Sequence, residues 1–356
     1  MEVIKMIIKC NNLIRLASII SITLGFVLCL VTSQMVNAAD KLSIALPGVP
    51  PVFSTVFIHT AKGAGFYKKY DLDVRLRPFN SGVAAAKAVV SGAVDMALSP
   101  TAPVARMVSN AGVPLVGIHG LEKPDWVIGS MDPSKNKCSD LKGQAVGVDS
   151  PRGARWINLQ NMVRPCKLMP DKNIKTVNLS SNVGSAMVAG QLNFGVLHLD
   201  DVPVIERESG KKVTIVAEIE KASPGTHYLM IVTTKKMLAA RRDVLVRATA
   251  AHIEAIRYMY DQSNNKAVGE YAKATGRKLS DARNAVKIFT DFNYWPNGHI
   301  GLNAKRLAKT IKIQVIVGKK SKGKGGIKPG KKPVSIAALT DASIFAQAIT
   351  LVNKRK

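Results

Sequence analysis

Four loops of the sequence carry small polar or charged residues directly after a predicted strand. In open α/β sheets, ligands bind beyond the carboxyl ends of the strands, where helix N-termini present unpaired backbone N–H groups. This rule selects residues that can hold a small polar solute: Pro47, Gly48, Ser54, Ser99, Pro100, Thr101, Ser150, Arg152, Gly153, His198, Asp200 and Asp201. Helix capping explains any one of them better than binding does, but their recurrence in four loops predicts a ligand site.

The charges in these loops constrain the ligand. Arg152 and the nearby Arg155 suit an anionic group such as a sulfonate or a carboxylate. Asp200 and Asp201 suit an amine or a ring N–H donor instead. Both signs together indicate a zwitterionic or heteroaromatic ligand, with one residue of each pair facing solvent.

Signatures of catalysis are missing from the sequence. No G-x-x-x-x-G-K-[ST], H-E-x-x-H or G-x-S-x-G motif occurs. Ser139 and Lys142 form an S-x-x-K pair inside a turn-like segment, which chance explains. The cysteines and the scattered histidines offer no cluster for a metal. We therefore expect a binding protein with no cofactor and no metal.

Short apolar runs alternate with helical patterns, which predicts an α/β fold with mostly parallel sheets flanked by helices. The predicted strands are 42–46, 72–76, 94–98, 115–120, 145–148, 175–179, 194–197, 213–217 and 226–233. Residues 120–133 break this rhythm and are interpreted as a crossing into a second lobe, with 226–233 as the return. The first lobe is then 40–122 plus 228–356, and the second lobe is 123–227.

Two aromatic residues lie at these predicted crossings. Trp126 either forms a wall over the ligand near the hinge or packs between the lobes. His227 either reaches the cleft or has a structural role. Both are candidate ligand residues.

The first 38 residues have the pattern of a secretion signal. Basic residues precede an apolar core over 14–31, and Val36-Asn37-Ala38 supplies small residues for cleavage. An uncleaved anchor is the alternative, since the apolar run is about long enough to cross a bilayer. We expect an exported, periplasmic protein.

Two cysteines remain after cleavage, Cys138 and Cys166. In an oxidising compartment the expected outcome is a disulfide. Two buried free thiols are the alternative.

The chain is strongly basic, with a formal net charge of +27. Its lysines are spread along the sequence and aromatic residues for base stacking are few, so we expect no nucleic-acid partner. A positive exterior instead attracts anions or an anionic membrane surface. Residues 319–333 hold seven lysines, four glycines and no acid, which predicts an exposed, solvated loop.

Three segments carry a family resemblance: A-K-G-A-G-F-Y-K-K-Y-D-L-D-V (61–74), S-G-A-V-D-M-A-L (91–98) and D-L-K-G-Q-A-V-G-V (140–148). The first two are helix-to-strand transitions through glycine. At this spacing behind a secretion signal, they resemble the extracytoplasmic solute-binding proteins of ABC importers, in the NMT1/THI5-like (nitrate/sulfonate/taurine and thiamine-precursor) family. Gly65-Phe66-Tyr67, Gly92 and Asp95 match positions that shape the scaffold.

The resemblance implies a two-lobed type II periplasmic binding protein fold with a ligand cleft between the lobes. It implies a monomer that captures a small polar or anionic organic solute, of the sulfonate, nitrate-like or pyrimidine type, by hinge closure and delivers it to an ABC permease. Two alternatives are a pyrimidine-precursor synthase or dehydratase on the same fold, and a ligand sensor that partners a signalling receptor.

Overall fold

The computed structural model describes residues 38–149, 151, 153–179, 182–320 and 325–355. The predicted signal peptide up to residue 37 lies outside the described residues, as do the candidate ligand residues Ser150 and Arg152. None of the described helices is long and apolar enough to cross a membrane.

Among the described residues, ten strands form two five-stranded sheets, in the orders β2-β1-β3-β10-β4 and β7-β6-β8-β5-β9. The strands are β1 (Asp40–Pro47), β2 (Leu72–Phe79), β3 (Met96–Pro100), β4 (Leu115–Leu121), β5 (Trp126–Ser130), β6 (Ala145–Val148), β7 (Lys175–Asn178), β8 (Phe194–His198), β9 (Thr214–Glu218) and β10 (Leu229–Thr234). The two sheets correspond position by position, with β10 of the first sheet and β5 of the second sheet each lying fourth in the order.

Both sheets are mixed. β10 runs antiparallel to β3 and β4, and β5 runs antiparallel to β8 and β9, whereas the remaining ladders are parallel. Four strands of each sheet therefore point one way and one points the other. The reversed strands are β5 and β10, and each is the first strand that the chain forms after it crosses from the other sheet. Each runs backwards because the chain enters its sheet at the edge where the parallel strands end.

Helices cover both faces of each sheet. They are α1 (Val56–Gly63), α2 (Phe66–Lys69), α3 (Gly82–Val90), α4 (Thr101–Ala111), α5 (Ala154–Val163), α6 (Val183–Val188), α7 (Asp201–Ser209), α8 (Ile219–Ala222), α9 (Lys235–Ala240), α10 (Arg242–Tyr260), α11 (Asn265–Ala272), α12 (Leu279–Asp291), α13 (Ala304–Lys320), α14 (Ile336–Leu339) and α15 (Ser343–Lys354). The predicted α/β class is confirmed. Below, the first lobe means the first sheet with α1–α4 and α9–α15, and the second lobe means the second sheet with α5–α8.

The apolar core is divided by the sheets. One face of the first sheet packs on α1, α2, α10 and α15, and the other packs on α3, α4 and α13. Small residues let α10 approach closely, since Ala248, Ala251 and Ala255 are all fully buried, as their helical spacing predicts. The second sheet has two smaller clusters, under α5 and under α6 with α7.

The scaffold motif has a clear physical basis. Gly65 and Gly92 have φ of +79° and +75°, a left-handed conformation that favours glycine. Asp95 Oδ2 accepts hydrogen bonds from the backbone N–H and the hydroxyl of Ser43, both at 2.7 Å. This carboxylate therefore fixes the start of β3 against β1.

A disulfide joins Cys138 to Cys166, with the Cα atoms 6.2 Å apart. The predicted bridge is confirmed. It ties the 3-10 turn Cys138–Leu141 to the turn Arg164–Cys166 that follows α5. Both turns flank the cluster under α5.

Two segments differ from the sequence-based expectation. Residues 120–133, interpreted as an irregular crossing, contain the strand β5, whose flanking prolines and glycine conceal it. The lysine-rich segment 319–333 is not one solvated loop: Lys319 and Lys320 end α13, and Ile327 is only 2% exposed. Asn110 and Arg106 of α4 hold the backbone carbonyls of Gly326 and Gly325, which fixes this segment on the helix.

Candidate functional site

The two crossings bring polar residues of both lobes to one place. Asp125 precedes β5, and His198 ends β8. Because β5 is antiparallel to β8, with Trp126 opposite His198, the beginning of β5 lies beside the end of β8. Tyr228 precedes β10 in the same way, and its ring lies 6.4 Å from that of Trp126. The entrances of the two reversed strands therefore face each other.

Asp125, Trp126 and His198 form the second lobe's wall of this site. His198 Nδ1 donates to Asp125 Oδ2 at 2.7 Å, and the His198 ring lies against Trp126 with the centroids 3.7 Å apart. Arg155 lies over the same indole at 5.4 Å. Burial opposes a charge on the imidazole, but the charge and hydrogen bond of Asp125 outweigh it and raise the pKa of His198.

Asp200 and Asp201 begin α7, where they meet two arginines. Arg277 contacts Asp200 and lies 3.0 Å from Asp201 Oδ1, while Arg155 lies 3.6 Å from Asp201 Oδ2. Burial raises the pKa of Asp200 despite the Arg277 charge. Burial acts the same way on Asp201, but Arg155, His198 and Arg277 outweigh it and lower the pKa of that carboxyl.

Arg277 reaches this site from the first lobe. It follows Gly276, whose φ is +81° and where an added Cβ would lie 2.7 Å from Pro50 Cγ. The guanidinium also lies 5.6 Å from the Phe53 ring. The loop after β1 therefore supports the side chain that bridges the two lobes.

Several buried polar atoms at this junction have no hydrogen bond of good geometry to another described residue: Ser54 Oγ, Asp125 Oδ1, Trp126 Nε1, Asp200 Oδ1 and Tyr294 Oη. Burial raises the pKa of Tyr294, and the charges of the nearby Asp125 and Asp200 raise it further. Its neighbour Trp295 donates from Nε1 to the Ser54 carbonyl at 3.3 Å. Folded proteins leave few buried polar groups unpaired, since each costs about 1–3 kcal/mol. Such a concentration, drawn from both lobes, makes this junction the candidate binding site.

Three predicted residues belong to this cluster: Ser54, Trp126 and Asp200. Gly48 has a φ of +94° and an added Cβ would lie 2.7 Å from the Pro50 carbonyl, so it shapes the loop after β1. Gly153 is the N-cap of α5, the helix that carries Arg155.

The other candidates have partners within the first lobe. Ser99 Oγ donates to the Gly82 carbonyl at 2.8 Å. His227 Nε2 donates to the Gly301 carbonyl at 2.8 Å, so its Nδ1 accepts from the Thr101 hydroxyl at 2.7 Å. These contacts tie the end of β3 to α3, and the residues before β10 to the start of α4 and to Gly301; a role of these three in ligand binding stays a prediction.

Sequence reasoning missed Asp125, Tyr228, Arg277 and Tyr294. The first two precede strands rather than follow them, so the carboxyl-end rule passes over them. Arg277 lies in a connection between helices, where no strand signals its position. Tyr294 and Trp295 are adjacent aromatic residues in a chain with 5% aromatic residues, and this pair is a signal that sequence reasoning could have used.

Asp125, His198 and Asp200 each offer one ligand atom within 4.8 Å of the others. A metal ion would have to share Asp200 with Arg277 and Asp125 with His198. The carboxylates already have cationic neighbours, so the arrangement is suited to hydrogen bonding with an organic solute rather than to a metal.

A model of the family described as NMT1/THI5 like matches residues 53–265. No curated protein sequence matches the chain. Similar solved structures include the alkanesulfonate-binding protein SsuA from Xanthomonas axonopodis pv. citri bound to MOPS (TM-score 0.64, 14% identity, 85% of this chain and 98% of that chain covered). They also include the periplasmic aliphatic sulphonate binding protein SsuA from Escherichia coli (0.63, 17%, 84% and 91%) and the periplasmic nitrate-binding protein NrtA from Synechocystis PCC 6803 (0.64, 13%, 88% and 89%). At these identities the similarity shows the fold, and it confirms the expected two-lobed periplasmic binding protein architecture.

Proposed function

The chain belongs to the NMT1/THI5-like family, and on that premise we propose that it is the extracytoplasmic solute-binding protein of an ABC importer. It captures one small molecule between its lobes, without altering it, and presents it to a membrane permease. The observation that carries this proposal is the set of buried, unpartnered polar atoms contributed by both lobes. The solved structures that share its fold include sulfonate- and nitrate-binding proteins of the periplasm.

The geometry favours a ligand that donates hydrogen bonds. Asp125 and Asp200 are 3% and 1% exposed, and both have carboxylate oxygens without partners among the described residues. A sulfonate or nitrate oxygen there would face the lone pairs of Asp125 Oδ1 and Asp200 Oδ1 with no proton between them, and this repulsion disfavours an anion even though His198 and Arg277 hold the other carboxylate oxygens. An amine or a ring N–H would satisfy them, while Trp126 Nε1 and the hydroxyls of Ser54 and Tyr294 serve its acceptors. Among the solute classes expected from the sequence, the pyrimidine type fits best.

Binding is coupled to closure in this proposal. Residues 40–122 with 228–356 move as one lobe and 123–227 as the other, around the crossings before β5 and β10. A ligand shifts a hinge equilibrium only through contacts that differ between the open and closed forms. Contacts to Ser54 and Tyr294 on one lobe and to Asp125 and Asp200 on the other meet that condition. The protein acts as a monomer in the periplasm, exported by residues 1–38.

A thermal-shift screen followed by calorimetry tests the proposal. Aminopyrimidines, alkanesulfonates and nitrate are compared at equal concentration, and a ligand at 100 times its Kd stabilises by about 2.7 kcal/mol. We expect stabilisation by the first class. Asp125→Asn and Asp200→Asn should each weaken binding at least tenfold, whereas Asp73→Asn, an exposed acid on β2, should not.

Two results would count against the proposal. Stabilisation by sulfonate or nitrate, retained in both asparagine variants, would exclude the assigned ligand class and the assigned site. Conversion of a bound compound to a product would replace the transport function by an enzymatic one.

A further inference from the structure

The helix α13 carries a row of lysines on its outer side. Lys305, Lys312 and Lys319 repeat every seven residues, about two turns, so they project from one side of the helix over about 21 Å. All three are exposed, and Ile316, which is 41% exposed, lies in the same row. The opposite side is buried on the first lobe through Leu307, Ile311 and Gln314.

The segment after α13 extends this basic surface. An added Cβ at Gly318 would lie 1.7 Å from the Ile327 carbonyl, so the returning chain passes directly over the end of α13. Lys328 N donates to Asn110 Oδ1 at 2.9 Å and Val334 N donates to Ser109 Oγ at 2.9 Å. These bonds hold the segment that carries the exposed Lys328, Lys331 and Lys332 on α4, and its beginning lies against the end of α13. The surface is therefore a fixed feature of the fold, and we name it the α13 basic surface: Lys305, Lys312, Ile316, Lys319, Lys320, Lys328, Lys331 and Lys332.

Acidic side chains of the described residues do not neutralise the charge of this surface. None of its lysines forms an ion pair with another described residue. Residues 292–340 contain no aspartate or glutamate. The nearby Glu220 is paired with Arg306 at 2.6 Å, and Lys309 contacts the Pro224 carbonyl. So many ammonium groups on one surface produce a positive potential that attracts an anionic partner.

We propose that the α13 basic surface docks the protein on a membrane surface that bears anionic phospholipid headgroups. Lysine-rich faces with an aliphatic residue bind such surfaces through additive, non-directional attraction, each lysine contributing a factor of about five in affinity. A nucleic acid is a poorer fit, because the surface has no aromatic side chain on which bases could stack. The docked protein would search for its membrane partner in two dimensions. The proposal does not depend on which solute is bound.

Vesicle co-sedimentation of the full chain tests this docking. Vesicles with 30% phosphatidylglycerol are compared with neutral phosphatidylcholine vesicles. The quantity measured is the ratio of the two partition coefficients, since any insertion of the apolar 14–31 run is common to both. The triple variant K305E/K312E/K319E should lower that ratio by at least about 100-fold, because three lost lysines account for about 100-fold and the three new carboxylates add repulsion. The matched control is K142E/K172E/K175E, which removes the same charge from three exposed, unpaired lysines of the second lobe.

Two readouts decide the result. The control should change the ratio less than threefold, and 0.5 M salt should abolish the preference of the unmodified chain for anionic vesicles. In amine-acetylation footprinting, anionic vesicles should protect Lys305, Lys312 and Lys319 but not Lys142, Lys172 and Lys175. Equal losses in the two triple variants would attribute binding to net charge alone and overturn the proposal. So would equal partition of the unmodified chain into both kinds of vesicle, a result that would point to an acidic protein as the partner.

Discussion

Removing the guanidinium of Arg277 should destabilise the protein in a pH-dependent way. In Arg277→Gln, Asp200 loses the cation that it contacts, while it remains 1% exposed. Loss of one partner of a buried ion pair costs about 3–5 kcal/mol, because the other charge stays buried. Asp201 keeps Arg155 at 3.6 Å and the backbone N–H of His198 at 3.0 Å, so Asp200 bears most of the loss.

The sign of the pH dependence follows from the Asp200 carboxyl. Burial raises its pKa in the unmodified protein even with Arg277 present, and removal of the guanidinium raises it further. When the folded-state pKa of a carboxyl lies above its unfolded-state value of about 3.9, stability falls as the pH rises from the unfolded-state pKa to the folded-state pKa. This pH interval is wider in the variant, because its folded-state pKa is higher. The two proteins should therefore differ little at pH 5, where Asp200 can hold a proton in both, and by about 3 kcal/mol at pH 8.

Urea denaturation at pH 5 and pH 8 measures this difference. Arg207→Gln is the control, because Arg207 also joins the lobes, at 2.8 Å from Asp281, but is 43% exposed. An exposed pair of this kind contributes about 0–1 kcal/mol. If Arg277→Gln lowers the unfolding free energy by the same amount at both pH values, the buried charge of Asp200 is not the cause of the destabilisation. A control that costs as much as Arg277→Gln would show that any bridge between the lobes has the same effect.

Three further predictions concern the scaffold. Replacing Cys138 and Cys166 by serine should lower the unfolding free energy by about 3 kcal/mol, measured by urea denaturation, and dithiothreitol should then have no additional effect. Burial lowers the pKa of His119 to about 3 and that of His252 well below its ordinary value. The unfolded chain therefore binds more protons below about pH 6.5, so melting temperatures should fall with pH from there, and His252→Gln should reduce that slope in parallel scans. Gly276→Ala adds a Cβ at a φ of +81° and 2.7 Å from the Pro50 ring, so it should lower the unfolding free energy by more than about 1 kcal/mol and weaken ligand binding. Gly190→Ala is the control, because its Cβ would meet nothing within 4 Å and it therefore measures the cost of a positive φ alone.

The sequence predicts the parallel parts of this fold well, for a physical reason. β6 has the predicted bounds, 145–148, because it is a short apolar run with a polar residue at each end. Local pattern decides such elements. β5 was missed because its identity depends on pairing with β8 and β9, which lie far along the chain. No local signal encodes a strand that is stabilised mainly by distant neighbours.

The same reversal explains why Asp125 and Tyr228 escaped sequence reasoning. The carboxyl-end rule assumes that strands point toward the ligand, and it therefore searches the residues that follow them. β5 and β10 point away, so their contribution to the site comes from the residues before them, Asp125 and Tyr228. In a two-lobed protein, these are also the residues at the crossings between the lobes. A group that binds solute at such a position moves with the hinge, so in the proposed function the reversed strand would place ligand recognition and lobe closure on the same few residues.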